Sequence, residues 1–161
     1  MIPNFRWPRP KDPPDDKLIA DVREYGVHII NVFADDTGPG WSFTIGLYLN
    51  YHHPEVLIFG LKDRQSHLIL NDIREKIASG GKFLAGTRTD LFLQGYDVTF
   101  IDVPLSAYPD HLGYALWFYR SLPDSFPCVQ LVWPDRENKF PWEAGYDNAY
   151  SELQPILAPP H

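Results

Sequence analysis

Cysteine and long apolar runs are scarce in this chain, and each shortage excludes a class of protein. The 161 residues include one cysteine, Cys128, so no internal disulfide and no cysteine-based zinc site can form. No stretch approaches the roughly 20 apolar residues that a membrane-spanning helix needs. The first residues also lack an apolar core of signal-peptide length. We therefore expect a cytoplasmic protein with no membrane partner.

Basic residues are also in short supply. Lysine and arginine number 14 against 21 aspartate and glutamate residues, which gives a formal net charge of −7. This balance lacks the positive field that holds nucleic acid non-specifically. We expect no nucleic-acid partner.

Aromatic residues and prolines, by contrast, are plentiful. The chain is 15% aromatic and 44% hydrophobic and contains 16 prolines, and its length suits one domain with its own core. Residues 1–14 carry five of the prolines and are expected to form an extended arm. We predict a single domain over 15–157 and a tail at 158–161.

Periodic apolar residues predict three helices, at about 15–25, 63–79 and 109–120. Asp15 or Asp16 is expected to cap the first helix, and Asp63 the second; Gly26 should end the first. Runs rich in β-branched and aromatic residues predict strands at about 27–33, 41–47, 55–61, 82–84, 90–93, 96–103 and 127–133.

The connections between the first three strands are too short for parallel crossovers, so these strands should be antiparallel. The fold class is therefore α+β. We expect a single domain with a mainly antiparallel, bent sheet or a small, split-barrel-like β-barrel, and about three flanking helices.

Two polar clusters are candidate sites. In Tyr51-His52-His53-Pro54-Glu55, His53 and Glu55 could hold the metal of a hydrolase, but adjacent histidines in extended chain point to opposite sides. Local packing of His53 is the favoured alternative, and no metal site is predicted. Lys62, Arg64 and Ser66 flank a helix start and could hold a phosphate, although a helix that is simply capped is the favoured interpretation.

The segment QLVWPDRENKFPWE, residues 130–143, is unusual because two tryptophans flank a charged loop. Pro134 should end the last strand at Trp133, and Pro141 should turn the chain so that Trp142 folds back. We expect the tryptophans to fasten the tail to the sheet, with Asp135 and Glu143 left to face a ligand. An aromatic-walled pocket is the alternative.

The blocks SFTIGLYLNYHHPEVLIFGL, LQGYDVTFIDV, ALWFYR, QLVWPDRENKFPWE and QPIL resemble the bacterial domain-of-unknown-function family 4262, over about residues 14–157. The resemblance implies no activity and transfers no catalytic residue. The positions that match it are Thr44, Gly46, His53, Pro54, Glu55, Gly60, Gln130, Trp133, Asp135, Pro141, Trp142 and Glu143.

A second likeness concerns the order of the elements. Together with the segment IASGGKF, this order is similar to that of flavin-reductase-like split barrels. That resemblance implies FMN held near Thr44, Lys62, Arg64 and Ser66.

Three functions follow as hypotheses. The first is a non-catalytic module that binds a small molecule or a protein, with no cofactor and no assigned catalytic residue. Its binding residues would be Thr44, His53, Glu55, Trp133, Asp135, Trp142 and Glu143. The second is an FMN-dependent oxidoreductase, and the third is a metal-assisted hydrolase. A homodimer is left open.

Overall fold

The structure, a computed structural model, describes residues 2–158, apart from the side chain of Asp63. The predicted tail at 158–161 lies outside the described residues except for its first position. Five α-helices within this range span Pro13–Tyr25 (α1), Leu47–Tyr51 (α2), Asp63–Ala78 (α3), Tyr108–His111 (α4) and Gly113–Phe118 (α5). Six strands span His28–Val32 (β1), Trp41–Ile45 (β2), Glu55–Phe59 (β3), Arg88–Leu93 (β4), Tyr96–Asp102 (β5) and Cys128–Val132 (β6).

Helix α1 is delimited by side-chain and backbone signals. The Asp12 carboxylate accepts the N–H of Asp15, a cap that contributes about 1 kcal/mol. The predicted cap at Asp15 or Asp16 was therefore wrong by a few positions, because Pro13 can occupy the first helical position without losing a hydrogen bond. Gly26 ends the helix with a φ of 88°, as predicted.

Three segments differ from the sequence prediction. The predicted strand at 41–47 stops at Ile45, and Leu47 begins the short helix α2. The predicted helix at 109–120 breaks into α4 and α5 at Leu112. Residues 82–84 form no strand, since the N–H of Phe83 donates to the ring of His53 at 2.9 Å.

The strands form one open sheet in the order β1-β2-β3-β6-β5-β4. Strands β3 and β6 are parallel and every other neighbouring pair is antiparallel, which confirms the mainly antiparallel sheet. Strands β1 and β4 lie at opposite edges, so the barrel expectation is not confirmed. The parallel pair is joined by a long connection that carries α3, β4, β5, α4 and α5, as a parallel crossover requires.

Each face of the sheet carries its own core. Because side chains alternate along a strand, Leu57 and Phe59 of β3 pack in a core with α1 and α5, while Val56 and Ile58 pack against α3. We call these the α1-side core and the α3-side core. Cys128 belongs to the α1-side core; burial, and secondarily the charge of Glu55, raises the pKa of its thiol well above the ordinary value.

Candidate functional site

Glu55, the first residue of β3, is fully buried, with 0% of its surface exposed. Its carboxylate accepts five hydrogen bonds: from the Thr44 hydroxyl at 2.8 Å, from the N–H groups of Gly46, Leu47 and Tyr48 at 3.0, 3.1 and 3.2 Å, and from the Tyr119 hydroxyl. These donors occupy the roughly four lone-pair sites of a carboxylate. Glu55 therefore has no acceptor site left for a ligand.

The carboxylate of Glu55 caps the N-terminus of helix α2. The first N–H groups of a helix need acceptors, and Gly46 at the start of α2 has no side chain to supply one. Burial raises the pKa of the Glu55 carboxyl, and the hydrogen bonds from Tyr119, Tyr48, Thr44 and Gly46 oppose that rise.

Thr44 and Tyr119 complete this buried cluster. The Thr44 hydroxyl accepts the N–H of Val56 at 2.9 Å while it donates to Glu55. Burial and the charge of Glu55 raise the pKa of Tyr119 well above its ordinary value, so its hydroxyl keeps its proton and donates. The sequence identified Tyr119 only as part of an apolar helix stripe, because nothing local links it to Glu55, 64 residues away.

His53 is also engaged within the protein. Its Nε2 accepts the N–H of Phe83 at 2.9 Å, and its Nδ1 donates to the Pro54 carbonyl at 2.8 Å. Burial lowers the pKa of the imidazole, in keeping with a neutral ring. Neither nitrogen has a lone pair free for a metal. Among residues 2–158, no three side chains of histidine, cysteine, aspartate or glutamate lie together as metal ligands.

Trp133 lies in the α3-side core with 6% exposure. Its indole N–H donates to the Phe59 carbonyl at 2.8 Å. Its backbone N–H and carbonyl pair with the Gln154 side chain at 2.8 and 2.9 Å, and its ring meets that of Tyr150 edge-on. Trp133 thus fastens the tail to the sheet, as expected, and lies away from any open surface.

Asp135 braces the loop that follows. Its carboxylate accepts the N–H groups of Glu137, Lys139 and Asp147, each at 2.9 Å. Burial favours the neutral acid, but these bonds and the charge of Lys139 lower the pKa of Asp135 below its ordinary value. The carboxylate faces the backbone of its own loop, not a ligand.

Trp142 is the one exposed tryptophan of the five, all of which are described, at 37% exposure. Its ring stacks on Phe140, with centroids 5.4 Å apart and planes 19° apart. Phe140 is buried and packs with Val132 and Ile101 on the sheet face opposite Trp133. The two tryptophans therefore lie on different faces and do not form one site.

Trp142 and Glu143 line a cleft of about 240 Å³ beside β4 and β5, which we call the Trp142 cleft. Its other lining residues are Gly86, Arg88, Thr99, Phe100, Ile101 and Phe140. The Arg88 guanidinium lies 4.9 Å from the Phe140 ring centroid, and its Nε donates to Asp97 at 2.8 Å. Arg88 was missed from the sequence, since only the folded sheet brings β4 beside residues 140–143.

The suggested phosphate-binding residues are spread around the start of α3. Lys62 and Arg64 are exposed, whereas Ser66 is buried with 2% exposure. The helix begins at Asp63, preceded by Lys62 in an extended conformation. FMN binding by these residues stays a prediction.

No described helix combines the length and apolar character needed to cross a bilayer. The family profile described as "Domain of unknown function (DUF4262)" matches residues 21–147. No curated protein and no solved structure matches the chain.

Proposed function

The chain belongs to the DUF4262 family, and we propose that it is a non-catalytic module that binds a partner polypeptide at the Trp142 cleft. The observation that carries this proposal is an exposed tryptophan whose ring stacks on a buried phenylalanine. Tryptophan and arginine are the residues most often found at energetic hot spots of protein interfaces, and both line this cleft.

The loop that presents Trp142 is braced at several points. Asp135 ties its two ends together through backbone N–H groups. Asn138 accepts the N–H of Asp97 at 3.0 Å and so joins the loop to β5. Glu143 accepts the N–H of Phe140 at 2.8 Å. A ring fixed in this way loses little freedom on binding, which favours affinity.

The size of the cleft supports a side chain as its occupant. Its volume of about 240 Å³ is below the roughly 300–1,000 Å³ of sites that enclose drug-sized ligands. An apolar or aromatic side chain can rest on the Trp142 ring. Among the described residues, the terminal nitrogens of Arg88 and Oε2 of Glu143 have no hydrogen-bond partner. They offer donors and an acceptor to the carbonyl and N–H groups of a peptide.

The experiment is selection of random linear peptides displayed on phage against the full chain. We expect the enriched peptides to share a hydrophobic or aromatic anchor. Trp142→Ala should weaken their binding by about tenfold or more, as loss of a hot-spot side chain does, and Arg88→Ala should weaken it as well.

Phe33→Ala is the matched control, because Phe33 is 71% exposed and does not line the cleft. This variant should bind the selected peptides as the wild type does, and circular dichroism should confirm that all three variants are folded. Failure to enrich any peptide, or peptides that bind Trp142→Ala with unchanged affinity, would overturn the proposal.

A further inference from the structure

A second groove lies at the β1 edge of the sheet, where residues of β1, α1 and α3 come together. The Trp142 cleft borders β4, at the opposite edge. The volume of the second groove is about 300 Å³, at the lower end of the range for small-molecule sites. Eight residues line it: Lys17, Asp21, Tyr25, Val27, His28, Ile29, His67 and Asn71. We call it the His28 groove.

An aspartate–histidine pair is fixed in the wall of this groove. Nδ1 of His28 lies 2.7 Å from Oδ2 of Asp21, and both side chains are mostly buried, with 16% and 18% exposed. Burial works against ionisation of Asp21, but the hydrogen bonds from His28 and Lys17 lower its pKa below the ordinary value. An ionised Asp21 only accepts, so Nδ1 carries a proton.

This pairing leaves the other ring nitrogen of His28 available. Nε2 has no hydrogen-bond partner within residues 2–158, and the ring lines the groove. A carboxylate on one imidazole nitrogen holds the ring in a fixed orientation. When the ring carries a proton on both nitrogens, Nε2 donates a charge-assisted hydrogen bond to an anion.

The groove also contains several groups that can form hydrogen bonds with an anion. The single carboxylate, Asp21, is neutralised by Lys17 at 3.2 Å. The imidazoles of His28 and His67 and the amide of Asn71 then remain as hydrogen-bonding groups in the groove. The charged or titratable groups that line the groove are Lys17, Asp21 and Tyr25 on α1, His28 on β1 and His67 on α3.

Tyr25 adds an apolar surface at the rim. This residue is 58% exposed and lines the same groove as the two imidazoles. An exposed aromatic ring offers a face on which a planar group can stack.

From this juxtaposition, we infer that the His28 groove binds a small phosphate monoester that carries a planar ring. The terminal phosphate oxygens accept from His28 Nε2, His67, Lys17 and Asn71, and the planar group lies against Tyr25. Asp21 is a positioning residue, since it orients His28 and does not touch the ligand.

Three probes separate the phosphate from the ring: phenyl phosphate, inorganic phosphate and phenol. Each is titrated into the ¹⁵N-labelled full chain, and the imidazole nitrogens are followed by long-range ¹H–¹⁵N NMR. We expect phenyl phosphate to shift the signals of His28 and His67, inorganic phosphate to shift them with weaker affinity, and phenol to leave them unchanged. His52 is exposed and lies outside the groove, so its signals are the internal reference.

Variants test the assigned roles. Asp21→Asn should weaken phenyl phosphate binding by about tenfold, the value of one charge-assisted hydrogen bond, and His28→Gln should weaken it at least as much. Trp142→Ala should leave phenyl phosphate binding unchanged, so this site and the proposed peptide site can be tested independently.

The titration of the wild type decides the matter even if a variant fails to fold. An unshifted His28 signal at saturating probe would overturn the inference. Equal shifts of His52 and His28, or equal effects of phenol and phenyl phosphate, would overturn it as well.

Discussion

At the scale of single residues, Glu55 determines how three separate segments meet. Its carboxylate binds the hydroxyl of Thr44 on β2, the first N–H groups of α2 and the hydroxyl of Tyr119 after α5. All of these groups are donors, so the site requires a side chain that only accepts.

Replacing Glu55 with glutamine should therefore be costly despite the similar shape. In glutamine an NH₂ group replaces one carboxylate oxygen, and this group would face donors such as the N–H of Leu47 or the Thr44 hydroxyl. Because an NH₂ group cannot accept a hydrogen bond, those donors would be left unsatisfied. An unsatisfied buried donor costs about 1–3 kcal/mol, so we expect the free energy of unfolding to fall by about 2 kcal/mol or more. Urea denaturation followed by circular dichroism measures it.

Glu24→Gln is the matched control for this substitution. Glu24 lies on α1 and is exposed, and surface changes of this kind usually stay within about 0.5 kcal/mol. If Glu55→Gln proved as stable as Glu24→Gln, the role of the Glu55 carboxylate as a helix cap would be wrong.

The residues of the candidate site were only partly predictable. The sequence identified Trp142 and Glu143, since two tryptophans around a charged loop are unusual. It also grouped Trp133 and Asp135 with them, because side-chain direction across the sheet cannot be known before the loop is placed. Arg88 lies 54 positions before Trp142 in the chain, and no local pattern links them.

At the scale of elements, the tail is held to the sheet at a point that only glycine permits. Gly60 follows β3 with a φ of 76°, and a Cβ there would lie 2.3 Å from the Leu153 carbonyl oxygen. The same tail segment is held by Gln154 on Trp133, and by Gln130, whose side chain donates to the Pro155 carbonyl at 2.7 Å.

Gly60→Ala should therefore displace the tail as well as strain the backbone. Gly95→Ala is the control, because Gly95 has a φ of 81° but no atom within 4 Å of the added Cβ. The left-handed conformation alone costs about 1–2 kcal/mol, so both variants should lose that much. Only Gly60→Ala should lose more and expose residues 148–158 to limited proteolysis; equal losses and equal cleavage would contradict the contact.

The elements that the sequence predicted correctly are those stabilised by local signals. Helix α3 has a strong apolar stripe, and α1 ends at a left-handed glycine. Helix α2 was missed because its N-terminal acceptor is Glu55, which follows in the next strand. A five-residue helix has little stability of its own, so its formation depends on that tertiary contact.

At the scale of the whole molecule, the buried His53 makes global stability depend on pH. The pKa of His53 is lowered in the folded protein by burial, below the ordinary value of about 6.5 that applies to an unfolded chain. Between these two values the unfolded chain holds a proton that the folded protein does not. The contribution of His53 is therefore complete above about pH 6.5 and is lost as the pH falls.

We expect this term to change the free energy of unfolding by at most about 1.4 kcal/mol per pH unit, the limit for one proton. His53→Asn should be less stable near neutral pH, and its free energy of unfolding should depend less on pH below about 6.5. His52→Asn is the control, since His52 is exposed and already has the left-handed φ of 55° that asparagine tolerates.

Urea denaturation at a series of pH values measures these slopes. The raised pKa of Glu55 gives a term of opposite sign, which cancels when each variant is compared with the wild type. A wild-type slope retained in His53→Asn would show that another group is responsible.

The sequence predicted the α+β fold class correctly, but it did not predict that helices cover both faces of the sheet. Connection lengths indicated antiparallel strands, and these are confirmed for β1, β2 and β3. An open sheet was one of the two expected forms, beside a small barrel, because the apolar residues of β5 and β6 fit a barrel interior and a sheet covered on both faces equally well.

The burial of Cys128 has a practical consequence for experiments on this protein. A buried thiol whose pKa is raised stays protonated and unreactive. The natural chain is thus already a background without a reactive thiol, and a cysteine introduced at an exposed position becomes the single point of attachment for a dye or spin label. Partner contact near the Trp142 cleft can then be followed by fluorescence or spin-label spectroscopy without first removing a native residue.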